Sequence, residues 1–170
     1  MRASVKFFWA VAVPFITACL LSNSYAQTEE SPLKVNFAYA QDKIQKGDVW
    51  KVYLSVTDPE GMMKKVWFTI DEPGGQRYRP SFRYLKKGME KEFAGYFALH
   101  TASPRRNLSG AGITLNLSIS DGKGNVRGSF SFPLEFDGQA IKPLPPEKEK
   151  ELNQRIGIID IDLNVPDSLF

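Results

Sequence analysis

Period-two alternation constrains this chain more than any other feature. Between residues 33 and 136, seven short runs alternate apolar with polar side chains, and no helical period interrupts them. "VWKVYLSVT" puts Trp50, Val52, Leu54 and Val56 on one face, with Lys51, Tyr53, Ser55 and Thr57 on the other. "ITLNLSIS" sets Ile113, Leu115, Leu117 and Ile119 against Thr114, Asn116, Ser118 and Ser120. "VNFAYA" groups Val35, Phe37 and Tyr39, "KVWFTID" groups Val66, Phe68 and Ile70, and "FAGYFALH" groups Phe93, Phe97 and Leu99. "RYRPSFRY" opposes Tyr78, Pro80, Phe82 and Tyr84 to Arg77, Arg79, Ser81 and Arg83. "VRGSFSFPLEF" offers Val126, Phe130, Phe132, Leu134 and Phe136. Successive strand side chains point to opposite faces, so each run has a face to bury and a face to wet, as antiparallel sheets require.

Turn signals separate the runs: "QKGD", "DPEG", "EPGG", "KKGM", "SPRRNLSG" and "DGKG". Seven short strands in roughly 100 residues form the pattern of an immunoglobulin-like sandwich, expected over residues 33–137. A small barrel is the rival architecture. With the strands lettered A to G, "SVTDPEG" closes strand B and its near-echo "SISDGKG" closes strand F. In the sandwich, the B–C and F–G loops share one end. Each aspartate is suited to fix its own turn by accepting from backbone N–H groups two residues on. "SVTDPEGMMKKVWFTI" and "GITLNLSISDGKGNVRGSFSF" resemble the B–C and F–G hairpins of bacterial immunoglobulin-like domains, the broad fibronectin-III, cadherin-like and PKD-like group. The resemblance implies an all-β, single, seven-stranded sandwich. It also implies a spacer, adhesive module, enzyme add-on or envelope component, without choosing among them.

The flanks behave differently. Arg2 and Lys6, the apolar run Phe7–Leu21 and the small residues Ser24 and Ala26 make residues 1–26 an expected export signal, whose apolar run of 15 is shorter than the roughly 20 residues of a membrane span. "ITAC" offers a competing lipobox, with Cys19 as the lipidation candidate. Cys19 is the one cysteine, so a cut after Ala26 leaves no thiol chemistry and no disulfide. The same cut leaves a net charge of +1, too small a field to draw nucleic acid. Residues 138–146 read as a proline-rich linker. Residues 147–170 read as a short helix in "PEKEKELNQRIG", with Glu151 four before Arg155 and Gly157 as its stop, followed by a strand-like tail in which Ile159, Ile161, Leu163 and Val165 alternate with polar residues.

Four candidate sites emerge. Asp58, Glu60 and Asp121 are weak calcium candidates at the shared loop end, although a hard cation wants 6–8 oxygens. Arg77, Arg79 and Arg83, followed by Lys86 and Lys87, form a cationic stripe suited to an anionic glycan or an acidic protein. A charged edge strand explains the same residues. Trp67 and Tyr53 lie on outward parities and suggest a sugar-stacking platform, unless the C-terminal segment covers them. Ile159, Ile161 and Leu163 either fold back on the sandwich or add a strand to a partner's sheet. His100, the one histidine, falls on an outward parity, and nothing supplies a nucleophile, base and orienting group together.

The sequence therefore implies an exported module, periplasmic or extracellular, with lipid anchoring at Cys19 as the competing reading, and without catalysis or cofactor. Its expected work is protein–protein interaction or assembly with an envelope or extracellular partner. The alternative is glycan or cell-wall binding through the arginine strand or the outer aromatics.

Overall fold

The computed structural model describes residues 33–102, 111–136, 144–164 and 166–167. The export-signal residues, Cys19 and most of the proline-rich linker lie outside them. The described chain is all-β in two packed sheets with one short helix. The first sheet orders β1 (Lys34–Ala40), β2 (Val49–Thr57), β6 (Glu92–His100) and β9 (Arg155–Ile159). The second orders β10 (Pro166–Asp167), β4 (Arg77–Tyr78), β3 (Lys65–Asp71), β7 (Gly112–Ser120) and β8 (Val126–Glu135), with β5 (Ser81–Tyr84) also paired to β3. The division into A-B-E and C-F-G strands is that of an immunoglobulin-like sandwich.

The alternating runs put their apolar faces between the sheets as the period demands. Trp50, Val52, Leu54 and Val56 are buried to the last atom, as are Val66, Phe68, Ile70, Leu115, Leu117 and Ile119. Phe68 of one sheet meets Phe97 of the other edge-to-face at 5.2 Å between centroids. The indole N–H of Trp50 donates to Gln41 O at 2.8 Å, so the largest core side chain leaves no polar atom unmade. After β1 the chain crosses to the second sheet, where Ile44 N donates to Glu135 O and Glu135 N donates to Asp42 O.

The structure departs from the sequence reading in several places. The strand count is not seven: "RYRPSFRY" is two short strands, broken at Arg79–Pro80, because proline cannot donate to a ladder. Both halves pair with β3. The position beside E goes to the tail, since β9 runs parallel to β6. The helix α1 spans Pro146–Glu151 and stops before Gly157, its pair being Lys148–Glu151 at 2.6 Å, and Arg155 to Gly157 are already strand. Val126 is exposed, because a bulge between Ile119 and Ser120 sets Gly128 and then Val126 opposite them and makes Arg127 the extra residue.

The tail is part of the core. Ile159, Ile161 and Leu163 are buried with the sandwich residues, and Leu152 behind α1 is fully buried. Its entry depends on a close approach. Tyr96 N donates to Gln154 O at 2.9 Å, and a Cβ on Gly95 would lie 2.2 Å from that same oxygen. Only glycine admits the incoming backbone there.

Candidate functional site

The loop end is held by an ion pair. Asp58 follows β2 with no exposed surface, and its two oxygens accept from Glu60 N at 3.0 Å and Met62 N at 3.1 Å. The bulge turns Arg127 toward it, giving Nη2 to Oδ1 at 2.9 Å and Nε to Oδ2 at 3.2 Å. Arg127 Nη2 also donates to Glu60. Burial pushes the Asp58 carboxyl up, but the guanidinium and the two backbone donors outweigh it and hold the group below its ordinary range. Asp121 spends its oxygens within its own turn, on Lys123 N, Asn125 N and the Asn125 side chain. The Asn125 bond leads the effects that lower its carboxyl. The three calcium candidates thus serve an arginine and a turn. No group of three metal-ligating residues occurs among the described residues.

The arginine stripe comes apart. Arg77 pairs with Asp71 at 3.0 Å. Arg83 stands opposite Val66 in the register, on the core-facing parity. Its side chain therefore crosses to the other sheet, where Nε donates to Ile158 O at 2.8 Å and Nη2 lies 3.9 Å from Asp160. Arg83 is a clasp on the tail. Arg79, Lys86 and Lys87 remain exposed around β5.

Trp67 and Tyr53 belong to opposite outer faces, so they form no joint platform. Tyr53 sits in a row with Tyr39 and Tyr96 across β1, β2 and β6, at 6.3 and 5.6 Å between rings. Phe37 and Tyr39 also face outward here, against the burial that their alternation suggested. Helix α1 lies over this face, with Lys148 Nζ 5.7 Å from the Phe37 ring. A cleft of about 270 Å³ between Leu144 and Glu149 on one side and Tyr39, Lys51 and Tyr53 on the other marks its margin. Burial, followed by the Glu149 charge, pushes the Tyr53 hydroxyl up to about 12.

The second sheet has no such roof among the described residues. Trp67 and Phe82 are register partners with rings 5.0 Å apart, and Tyr84 meets Phe82 edge-to-face at 5.7 Å. Phe82 is 43% and Tyr84 70% exposed. Tyr78 is buried while Phe82 and Tyr84, of the same parity, face out, because the break at Pro80 shifts the pleat between them. Lys65 projects over this cluster, its ammonium 4.6 Å from Trp67, 4.9 Å from Phe82 and 5.2 Å from Tyr84. The alternation "KVW" puts Lys65 and Trp67 on one face, a signal the sequence carried. The contribution of β5 was hidden by the pleat shift. His100 is exposed at the end of β6.

Two facing sheets with this strand order define an immunoglobulin-like sandwich closed along one side by its own C-terminal strand. No family model matches the chain, and no curated protein sequence matches it. Among solved structures, the CARDB domain of a Pyrococcus furiosus protein, in complex with di-metal ions, is similar at 14% identity and a TM-score of 0.36, covering 61% of this chain and 85% of that one. The Pseudomonas fluorescens alkylpurine DNA glycosylase AlkC, bound to DNA with an abasic site analog, is similar at 16% identity and a TM-score of 0.42, over 62% of this chain and 31% of that one. A Parabacteroides merdae β-glucuronidase reaches 6% identity and a TM-score of 0.36, over 60% and 13%. The functional reading rests on the site itself.

Proposed function

We propose that this chain is an exported, non-catalytic binding module of the cell envelope, and that its working surface is the outer face of the second sheet around Lys65, Trp67, Phe82 and Tyr84. Export rests on the pattern of residues 1–26. The surface assignment is carried by one observation: large aromatic rings stay exposed here, while the equivalent face of the first sheet is covered by α1. Exposed aromatic clusters mark interaction sites. The tail, the other candidate for docking, packs on its own sandwich, and two of the arginines are committed within the chain.

Capture of cross-linked partners from an envelope extract tests the reading. Trp67→Ala with Tyr84→Ala should abolish capture, while Glu149→Gln on the roofed face should leave it intact. Undiminished capture by a folded Trp67→Ala/Tyr84→Ala variant would remove this face from the function.

A further inference from the structure

The chemistry of the uncovered face narrows what it takes, given that it is the working surface. Strand register lays Phe82, Trp67, Ser118 and Ser129 in one row across β5, β3, β7 and β8. Strands lie about 4.8 Å apart, so this row is roughly 14 Å long. It begins in aromatic planes and ends in hydroxyls. The next row is Thr69, Asn116 and Ser131, where Ser131 Oγ donates to Asn116 Oδ1 at 2.7 Å and Asn116 Nδ2 donates to Asp71 Oδ2 at 2.7 Å. Small polar side chains make this part of the face flat and rich in hydrogen-bonding groups.

The charge is one-sided. Asp71 and Glu135, acids at outward positions of β3 and β8, are already engaged: Asp71 holds Arg77 and Asn116, and Glu135 pairs with Lys43 at 2.9 Å. Lys65 has the three rings beneath it and no carboxylate partner among the described residues. Arg79 before β5 and Lys86 and Lys87 after it are exposed and likewise form no ion pair there. A protein interface is poor in serine and lysine at its centre, which this face is not. A sugar ring matches better: its C–H face stacks on an aromatic plane, and its hydroxyls meet serine and asparagine. The ammonium of Lys65 is a point charge, suited to one carboxylate per ring rather than to a forked contact.

We propose that this face binds an acidic polysaccharide of uronate units. A ring stacks at Trp67, Phe82 and Tyr84, its carboxylate meets Lys65, and the chain continues over the Ser118 and Asn116 rows.

Affinity electrophoresis of the full chain through polygalacturonate tests the proposal, with methyl-esterified polygalacturonate and dextran sulfate as the other arms. Retardation by polygalacturonate is expected, at least tenfold weaker for the ester and falling with salt. Lys65→Met should weaken it about tenfold, and Tyr84→Ala, at a largely exposed position, should weaken it without moving the melting temperature. Absence of retardation overturns the proposal. So does equal retardation by the ester, or dextran sulfate binding as tightly with Tyr84→Ala no weaker, which would be bulk charge alone. If envelope capture still depends on Trp67 and Tyr84 while no polysaccharide binds, the ligand class fails and the working surface stands with a protein partner. If capture is also independent of them, both fall.

Discussion

Replacing Asp58 by asparagine should cost the fold about 2–3 kcal/mol. The substitution keeps size and shape, so the loss is electrostatic. Four donors converge on two carboxylate oxygens: the N–H groups of Glu60 and Met62, and Nε and Nη2 of Arg127. An amide supplies one oxygen and turns an NH₂ on donors at the other position. Breaking a fully buried pair costs about 3–5 kcal/mol. The lower figure applies because Arg127 keeps 12% of its side-chain surface and retains Glu60. For a domain of this size the melting temperature should fall by roughly 10 °C. Urea unfolding followed by tryptophan fluorescence reads the loss, since Trp50 is fully buried. A cycle with Arg127→Met should return a coupling of at least about 1 kcal/mol. The pH dependence has a defined sign. Because the folded carboxyl lies below its ordinary value, its contribution is complete above about pH 4 and is lost as pH falls toward the folded value. Wild type should therefore lose its margin over Asp58→Asn in that acidic window. An Asp58→Asn variant within 0.5 kcal/mol of wild type at pH 7, or a coupling near zero, would refute the assignment of this pair as the loop-end latch.

Three further outcomes follow from the tail and its roof. Gly95→Val should dislodge β9, because its Cβ would meet Gln154 O at 2.2 Å; amide exchange at Ile158 and Ile159 should then accelerate together. Ile161→Ala removes a buried core residue and should cost about 2–4 kcal/mol in denaturant unfolding, where a docking tail would cost nothing. Ultraviolet titration should show a tyrosine ionising near pH 12, and Glu149→Gln should lower that value, since the Glu149 charge opposes ionisation of Tyr53.

The two-sheet core was legible because alternation is a backbone property. In β2, β3 and β7 every second residue must point inward, and the parity names the buried sets apart from Tyr53, under α1, and Ser120, at a strand end. What escaped were local breaks in that period. Pro80 splits one strand and shifts its pleat, which hides Phe82 and Tyr84 as outward residues. The bulge at Arg127 does the same to Val126, and converts an apparently solvated arginine into the partner of a buried aspartate. The same shift at Pro80 turns Arg83 inward, where β9 supplies its acceptor. The placement of β9 depends on Gly95, whose need for glycine exists only when Gln154 is already beside it.

The difference between the two outer faces is the strongest physical argument about function. Both carry outward aromatic clusters, Tyr39, Tyr53 and Tyr96 on one sheet and Trp67, Phe82 and Tyr84 on the other. A short helix is marginal on its own, and α1 has no buried residue within its six positions. It stays because Leu152 and β9 anchor it from behind. Stability alone would favour covering the second face as well, because burial of a large aromatic side chain contributes about 1.5–3 kcal/mol. Instead the rings stay exposed beneath Lys65, an ammonium–ring contact that the first face also has in Lys51 over Tyr96. The exposure of this cluster supports the proposed binding surface over a spacer.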